Sequence, residues 1–371
     1  GITATDAHGD TATNDVTVTV TGTNDGPALA ADTLAAVEDG PSVDVDLAAL
    51  GADIDSDDDG TTLAYAITGD PAEGTATISG TTLSFAPGED FQDLADGETR
   101  DVTITVTATD AHGDTATNDV TVTVTGTNDA PTLAAAALAA EEDGPSVDVD
   151  LAALGADPDS DDDGTSLGYA ITGQPAEGTA SITGTTLSFA PGEDFQNLAQ
   201  GETRDVTITV TATDAHGDTA TNDVTVTVTG ANDGPALAAD TLAAVEDGPS
   251  FDVDLATLGA DIDSDNTGTT LAYAITGDPA EGTASITGTT LSFAPGAAFQ
   301  DLAQGETRDV TITVTATDAH GDTATNDVTV TVTGANDGPA LAADTLAADE
   351  DGPAVGVDLA TLGSDADSDD D

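Results

Sequence analysis

The chain contains no cysteine, no lysine and no tryptophan, and its basic side chains, histidine aside, are three arginines. Without cysteine it cannot form disulfides or thiolate metal sites. Without lysine it cannot form a lysine–asparagine isopeptide crosslink, and without tryptophan it lacks the aromatic platform on which sugars commonly stack. No stretch is long and apolar enough to cross a membrane. Any rigidity in this protein must therefore come from another source.

Acidic side chains dominate what is present, with 72 aspartates and glutamates and a net charge of −69. A phosphate backbone needs a basic surface, so nucleic acid is excluded as a partner. Acidic composition is frequent in disordered chains, but apolar residues alternate here with the period of a β-strand. Carboxylate oxygens are the ligands that hard cations prefer, so we expect a divalent cation to offset the charge.

One hairpin motif recurs at a fixed spacing. Valine, isoleucine and alanine alternate with threonine over 102–108 and again over 120–124, the pattern of two half-buried strands. Between them, the segment Asp-Ala-His-Gly-Asp at 110–114 supplies turn residues. The same turn begins at Asp6, Asp110, Asp214 and Asp318, which are 104 residues apart. A long fixed period indicates a tandem array.

The period predicts three complete repeats, at 28–131, 132–235 and 236–339. We expect residues 1–27 to be the C-terminal part of a preceding repeat and 340–371 the N-terminal part of a following one. Each complete repeat contains about seven short strand patterns and no long amphipathic helix. The prediction is an all-β protein, a tandem array of antiparallel β-sandwiches.

Within 28–131, acidic residues cluster at the turns and in the linker. The segments are Val37-Glu38, Asp53-Ile54-Asp55, Asp96-Gly97-Glu98, the turn at Asp110, and the linker Asn128-Asp129-Ala130-Pro131. With the strand Leu63-Ala64-Tyr65, these segments make the whole repeat resemble a cadherin-type domain. The resemblance is to the cadherin-like or VCBS tandem repeats of large secreted, RTX-type bacterial surface adhesins. It implies an Ig-like, cadherin-like sandwich with calcium bound between consecutive domains.

The resemblance also implies the ligands, taken from the preceding domain, the linker and the following domain. In chain order they are Asn24, Asp25, Glu38, Asp53, Asp55, Asp96, Glu98, Asp110, Asn128, Asp129, Glu142, Asp157, Asp159, Glu202, Asp214, Asn232, Asp233, Glu246, Asp261, Asp263, Glu306, Asp318, Asn336, Asp337, Asp365 and Asp367. Two departures reduce the anionic ligands: Gly126 stands where the family usually has an aspartate, and Gln200 and Gln304 replace Asp96. We therefore expect one or two ions per junction. Residues 57–59 remain open, either as further ligands or as a solvated loop.

Each hairpin turn carries one histidine: His8, His112, His216 and His320. A histidine beside two aspartates can perform acid–base chemistry. Its position at a hairpin tip, without a recurring nucleophile and base, is instead typical of a turn residue. We predict that the protein is not an enzyme.

Taken together, the sequence predicts the calcium-rigidified extender of a giant extracellular bacterial adhesin, which projects a distal binding domain from the cell surface. Its partners would be calcium ions and the neighbouring repeats. Two alternatives stay open. The repeats could build an extracellular filament or biofilm-matrix fibre from several copies of the chain, or they could form a ligand-binding adhesive module.

Overall fold

The structure is a computed structural model that describes residues 1–368; the last three residues of the predicted segment 340–371 lie outside it. The described residues form 31 short or medium strands and seven 3-10 turns. They belong to two compact units. One comprises 1–134, 150–170 and 211–222, and the other comprises 135–149, 171–210 and the chain from 223 onward. None of the helices in residues 1–368 is long and apolar enough to span a bilayer.

The strands follow the repeat. Before the first complete repeat lie β1 (Ile2–Thr5) and β2 (Thr11–Asn14). Residues 28–131 contain β3 (Ala28–Leu29), β4 (Asp32–Val37), β5 (Val43–Asp46), β6 (Gly51–Ala52), β7 (Ala64–Gly69), β8 (Thr75–Ser79), β9 (Thr82–Ala86), β10 (Thr99–Thr109) and β11 (Thr115–Thr125). Residues 132–235 contain β12 (Thr132–Leu133), β13 (Ala136–Glu141), β14 (Val147–Asp150), β15 (Gly155–Ala156), β16 (Gly168–Gly173), β17 (Thr179–Thr183), β18 (Thr186–Ala190), β19 (Thr203–Thr213) and β20 (Thr219–Thr229).

The third complete repeat has the same pattern. It contains β21 (Ala236–Leu237), β22 (Asp240–Val245), β23 (Phe251–Asp254), β24 (Gly259–Ala260), β25 (Ala272–Gly277), β26 (Thr283–Thr287), β27 (Thr290–Ala294), β28 (Thr307–Thr317) and β29 (Thr323–Thr333), and β30 (Ala340–Leu341) and β31 (Gly363–Ser364) follow it. The 3-10 turns are Leu47–Ala49, Gly88–Phe91, Leu151–Ala153, Gly192–Phe195, Leu255–Thr257, Gly296–Phe299 and Leu359–Thr361.

In the first unit, the repeat 28–131 is a sandwich of two sheets, ordered β4-β11-β10-β7 and β5-β9-β8, with a small pair β3-β6 beside them. Strands β10 and β11 pair antiparallel along their whole length, from Thr99 opposite Thr125 to Thr109 opposite Thr115. This is the long hairpin predicted from the threonine alternation. Strand β4 lies at the sheet edge and runs parallel to β11. The all-β sandwich prediction is therefore confirmed, with one parallel pair at an edge.

The core of this repeat lies between the two sheets. The apolar residues of the hairpin, such as Ile104 and Val122, point inward and are fully buried. Phe85 and Phe91 pack edge to face with ring centroids 6.3 Å apart. Each such fully buried side chain contributes about 1.5–3 kcal/mol to folding. Burial of the inner face therefore fixes the position of the hairpin, including the residues at its two ends.

In the second unit, the repeat 236–339 repeats this arrangement with sheets β22-β29-β28-β25 and β23-β27-β26. Phe251 replaces the valine of the first copy, and its ring lies 5.8 Å from that of Phe293. The middle repeat contributes the parallel pair β13 and β20 and the hairpin β17 and β18 to this unit. The antiparallel pair of β12 and β15 belongs to the first unit.

Candidate calcium sites at the repeat junctions

Four linkers, which begin at Asn24, Asn128, Asn232 and Asn336, define what we call the first, second, third and fourth junction. Each linker meets the loop that carries Asp-x-Asp, such as Asp157 and Asp159 at the second junction. The second junction lies within the first compact unit and the third within the second unit. The local geometry of each junction can therefore be described by itself.

At the second junction, the preceding repeat contributes Glu38, which directly follows β4 and is only 2% exposed. Its Oε1 accepts hydrogen bonds from the backbone N–H of Thr127 at 2.6 Å and from the hydroxyl of Thr127 at 3.1 Å. Its Oε2 is buried without a hydrogen-bond partner. Burial raises the pKa of this carboxyl group. One oxygen thus positions the side chain, and the other is available to a ligand.

The linker of the second junction is held by the following repeat. The side-chain amide of Asn128 donates to Asp214 Oδ2 at 3.1 Å and to Asp218 Oδ2 at 2.9 Å. The backbone N–H of Asp129 donates to Asp159 Oδ2 at 3.0 Å. These bonds leave Asn128 Oδ1 and Asp129 Oδ2 buried and without partners. The linker therefore presents two oxygens toward the junction.

The Asp-x-Asp loop completes this site. The backbone N–H of Asp159 donates to Asp157 Oδ1 at 3.1 Å, and Asp159 is 3% exposed. Asp157 Oδ2 and Asp159 Oδ1 are buried without partners. Burial, reinforced by neighbouring carboxylates, raises the pKa of Asp157 and of Asp129, and it raises the pKa of Asp159 to about 6. Buried carboxylates without donors are costly, so this geometry calls for a cation.

The third and fourth junctions show how close these oxygens come. One carboxylate oxygen each of Glu142, Asp233 and Asp263 lies within 4.8 Å of the other two. The fourth junction repeats this triangle with Glu246, Asp337 and Asp367. Oxygens that share one calcium ion lie 2.3–2.6 Å from it and hence at most about 5 Å apart. The spacing and the all-oxygen donor set therefore fit calcium.

The burial pattern of the third junction matches that of the second. Glu142 Oε1 accepts from the backbone N–H of Ala231 at 2.6 Å, and Asp263 Oδ2 accepts from that of Asp233 at 3.0 Å. Burial raises the pKa of all three carboxyl groups. Asp261 Oδ1 accepts the backbone N–H of Asp263 at 3.1 Å. The side chain of Asn232 donates to Asp318 Oδ2 at 3.0 Å.

The first junction retains the linker contacts. Asn24 donates to Asp110 Oδ2 at 3.0 Å, and this hydrogen bond is the main cause that lowers the pKa of Asp110. The backbone N–H of Asp25 donates to Asp55 Oδ2 at 2.8 Å, and the backbone N–H of Asp55 donates to Asp53 Oδ1 at 3.0 Å. At the fourth junction, the backbone N–H of Asp367 similarly donates to Asp365 Oδ1 at 3.1 Å.

The structure places two predicted ligands of the preceding repeat outside this buried group. Asp96 is exposed in the turn before β10, and Glu98 is exposed as well. Glu98 Oε2 instead accepts the hydroxyl of Ser160 at 2.6 Å, and the backbone N–H of Ser160 donates to the carbonyl of Asp93 at 3.0 Å. We call this pair of bonds the serine contact. It joins two repeats directly, without an ion.

The serine contact recurs at the next two junctions. Ser264 binds Glu202 at 2.6 Å and the carbonyl of Asn197, and Ser368 binds Glu306 at 2.8 Å and the carbonyl of Asp301. Sequence reasoning missed this contact, although a serine follows Asp-x-Asp in every copy. It also missed the second aspartate of the hairpin turn, because Asp114, Asp218 and Asp322 all accept a hydrogen bond from the linker asparagine.

Gly126 explains one departure from the cadherin-type pattern. A Cβ atom at this position would lie 2.4 Å from the carbonyl oxygens of both Leu94 and Ala95. No side chain fits there, so an aspartate ligand is excluded by the close approach of the backbone. Gly230 and Gly334 are enclosed in the same way. The junctions must therefore draw their charge from other positions.

The sequence matches the bacterial Ig domain family three times, at residues 24–123, 128–227 and 232–331. A search of curated proteins finds no match. The fold is similar to extracellular cadherin domains 1–5 of protocadherin gamma B2, with a TM-score of 0.57, 15% identity, and coverage of 86% of this chain and 62% of that one. It is also similar to the extracellular domain of protocadherin gamma B4, with a TM-score of 0.54, 17% identity, and coverage of 88% of this chain and 53% of that one.

Domains 22–24 of mouse cadherin-23 provide a third structural match, with a TM-score of 0.51, 16% identity, and coverage of 84% of this chain and all of that one. The chain spans less than two thirds of the two protocadherin chains that it matches. At these identities the likeness concerns the fold. It confirms the predicted Ig-like, cadherin-like tandem sandwiches.

Proposed function

This chain belongs to the bacterial Ig domain family, and on that premise we propose that it is a calcium-stiffened spacer in an extracellular bacterial surface protein. Its repeats would project a distal binding domain from the cell, as in VCBS-type regions of RTX-type adhesins. The role is mechanical and involves no catalysis. The partners are calcium ions and the neighbouring repeats.

One observation carries the proposal. Buried oxygens without partners come from the preceding repeat, the linker and the following repeat, and at the second junction they include Glu38 Oε2, Asp129 Oδ2 and Asp159 Oδ1. A calcium ion bound to ligands from three segments opposes bending between the repeats, because bending would break coordination bonds. Bound calcium supplies positive charge and six to eight oxygen bonds. The side chains of Glu38 and Asp159 are already positioned by hydrogen bonds from the backbone.

A distance measurement across the second junction tests the proposal. The absence of native cysteine permits two spin labels, at Thr103→Cys in β10 and Ala170→Cys in β16, both exposed. We expect a narrow distance distribution in calcium and a broad one in chelator. Replacing Asn128 and Asp129 by alanine should broaden the distribution even in calcium while both flanking sandwiches stay folded.

The same double substitution at Asn24 and Asp25 is the matched control, because it alters an equivalent linker that the labels do not span. It should leave the distribution across the second junction narrow. If calcium has no effect on the distribution and calorimetry detects no calcium binding, the acidic residues are surface charge and the proposal is wrong. If the double substitution at the second junction unfolds the flanking repeats, the ions are integral to the domains.

A further inference from the structure

The loop after Asp-x-Asp carries a polar residue, acidic in two of the three complete repeats, that the cadherin-type ligand set does not include. It is Asp58 in the first complete repeat, Asp162 in the second and Asn266 in the third, at equivalent positions 104 residues apart. All three side chains are buried, with 7%, 8% and 4% of their surface exposed. Acidic side chains are rarely this buried unless they are paired.

Asp162 has one oxygen with a partner and one without. Its Oδ1 accepts the hydroxyl of Ser166 at 2.7 Å, whereas its Oδ2 is buried and has no hydrogen-bond partner. The backbone N–H of Asp162 donates to the carbonyl of Asp159 at 3.3 Å, which closes a turn that begins at a residue of the second junction. This is the same division that Glu38 and Asp159 show: one oxygen is fixed and one is left for a ligand.

Two observations locate this carboxylate beside the hairpin tip. In the first complete repeat, Asp58 Oδ2 accepts the backbone N–H of Ala111 at 3.4 Å, next to Asp110. In the second, the pKa of Asp157 is raised first by burial and then by the charges of Asp162 and Asp214. Asp157 Oδ2 is also buried without a partner. The carboxylates of Asp157, Asp162 and Asp214 therefore lie close enough to interact electrostatically on the following-repeat side of the junction.

The third repeat lacks this charge. Asn266 donates from its side-chain amide to Asp265 Oδ1 at 3.0 Å. It can offer a neutral amide oxygen but no carboxylate. The affinity of a calcium site depends on the number of charged ligands. The third junction thus has one negative charge fewer than the second at the equivalent position.

We propose that Asp162 is an additional calcium ligand of the second junction, and that the third junction binds calcium more weakly because Asn266 stands at the equivalent position. This inference rests on the proposed function, since it assigns a further ligand and a graded affinity to the same sites. The array then does not lose its ions all at once. As the calcium concentration falls, the third junction loses its bound calcium before the second does.

Tyrosine-sensitised terbium luminescence can measure one junction at a time in the whole chain. Each complete repeat has one tyrosine, and Tyr169 donates its hydroxyl to the carbonyl of Gly164 at 2.8 Å, close to Asp162 along the loop. Changing Tyr65 and Tyr273 to phenylalanine leaves Tyr169 as the reporter of the second junction. Displacement of terbium by calcium then gives the calcium affinity of that junction.

We expect Asp162→Asn to weaken calcium binding at the second junction roughly tenfold, the effect of one lost charged ligand. Asp161→Asn is the matched control, because it removes the same charge from the adjacent, exposed position and should change the affinity by less than about twofold. In a chain in which Tyr65 and Tyr169 are changed to phenylalanine, Tyr273 reports on the third junction. There, Asn266→Asp should increase the calcium affinity. Far-UV circular dichroism verifies that each variant is folded.

The outcomes separate the two proposals. If Asp162→Asn and Asp161→Asn weaken binding equally, or if Asn266→Asp does not tighten the third junction, the assignment of this position as a ligand is overturned. The proposed function would still stand provided that Asp159→Asn abolishes the signal of Tyr169. If the parent chain shows neither sensitised emission nor calcium binding by calorimetry, the proposed function fails, and the further ligand fails with it.

Discussion

The two oxygens of a buried junction carboxylate have different surroundings. In Glu38 and in Asp159, one oxygen accepts a backbone N–H and the other is buried without a partner. Asn128 behaves similarly, since its amide nitrogen is bonded and its oxygen is not. The hydrogen bonds fix the side chains before an ion arrives. This preorganisation reduces the conformational entropy lost on binding.

The pKa of Asp159 predicts how the metal-free protein responds to pH. Burial raises this pKa to about 6, whereas an aspartate in an unfolded chain titrates near 3.9. Between these values the folded state binds more protons, so its free energy of unfolding falls as pH rises from about 4 to 6. In chelator, we expect a higher melting temperature at pH 5 than at pH 7. Calcium binding should weaken as pH falls below 6, because protons compete for the same oxygen.

Differential scanning calorimetry at constant ionic strength measures this effect. Asp159→Asn is the control, because it removes the titrating group and should flatten the metal-free profile. Carboxyl groups whose pKa is lowered, such as Asp110, lose their contribution to the free energy of unfolding only below about pH 4. They therefore do not affect the comparison of pH 5 with pH 7. Equal melting temperatures at pH 5 and pH 7 in chelator would contradict the prediction.

Glu142→Gln should have opposite effects with and without calcium. The substitution keeps the oxygen that accepts the backbone N–H of Ala231 but removes a buried charge. Without calcium it relieves the repulsion of Asp233 and should raise the melting temperature. With calcium it removes a charged ligand and should lower the melting temperature. A loss of stability in both conditions would show that the glutamate has only a structural role.

At the scale of the structural elements, a junction combines a strand end, a linker, a loop and a hairpin tip. Glu38 follows β4, and Asp214 lies directly after β19 at the tip of the next hairpin. Asp214 Oδ1 accepts three backbone N–H groups of its own turn, from His216, Gly217 and Asp218, at 2.6–2.9 Å. The histidine is therefore part of the turn. The hairpins hold the turns and loops that supply the ligands.

The serine contact predicts that chelation does not release a junction completely. Ser160→Ala removes the hydrogen bond from the serine hydroxyl to Glu98, and this bond is the main cause of the lowered pKa of Glu98. In chelator, the spin-label distribution across the second junction should broaden further. In calcium, it should stay narrow with unchanged calcium affinity.

Ser56→Ala is the matched control for this experiment, because Ser56 occupies the equivalent loop position at the first junction. It should leave the distribution across the second junction unchanged in both conditions. If Ser160→Ala instead lowers calcium affinity, the serine contact would be part of the ion site rather than a separate connection between repeats.

At the scale of the whole molecule, a net charge of −69 is distributed over repeats that contain few cations. Arg100 is the one basic side chain of its repeat apart from histidine, and it pairs with Glu73 at 3.3 Å and Asp93 at 2.7 Å. Such partly exposed pairs contribute little to stability. Repulsion among the remaining carboxylates opposes the compact state. Bound cations that occupy only the folded state would offset it.

Calcium titration of the whole chain tests the contribution of the preceding repeat to a junction. At the second junction that contribution is Glu38, whose Oε2 is buried without a partner. Glu38→Gln should weaken calcium binding at this junction, because it removes a charged ligand and keeps an oxygen that can accept the backbone N–H of Thr127. Calorimetry measures the change, and an unaltered calcium affinity would contradict this account.

Much of the fold was predictable because it is encoded locally. Alternating valine and threonine indicated β10 and β11, and the fixed spacing of Asp110 and Asp214 indicated the repeat. The parallel pairing of β4 with β11 was not predictable, since it depends on which strands meet across the sheet. Strand patterns specify which face is buried, but they do not specify every neighbour.

For the candidate sites, the sequence by itself determined the chemistry. It has acidic residues at turns and linkers, no thiols, and a linker asparagine, such as Asn128, at the equivalent position of every copy. Only the tertiary structure decided which carboxylates share a buried space. It buries Glu38, Asp159 and Asp162, leaves Asp96 exposed and joins Glu98 to a serine of the next repeat. The reason is physical. Burial and hydrogen bonding depend on contacts between residues far apart in the chain, and no local pattern records them.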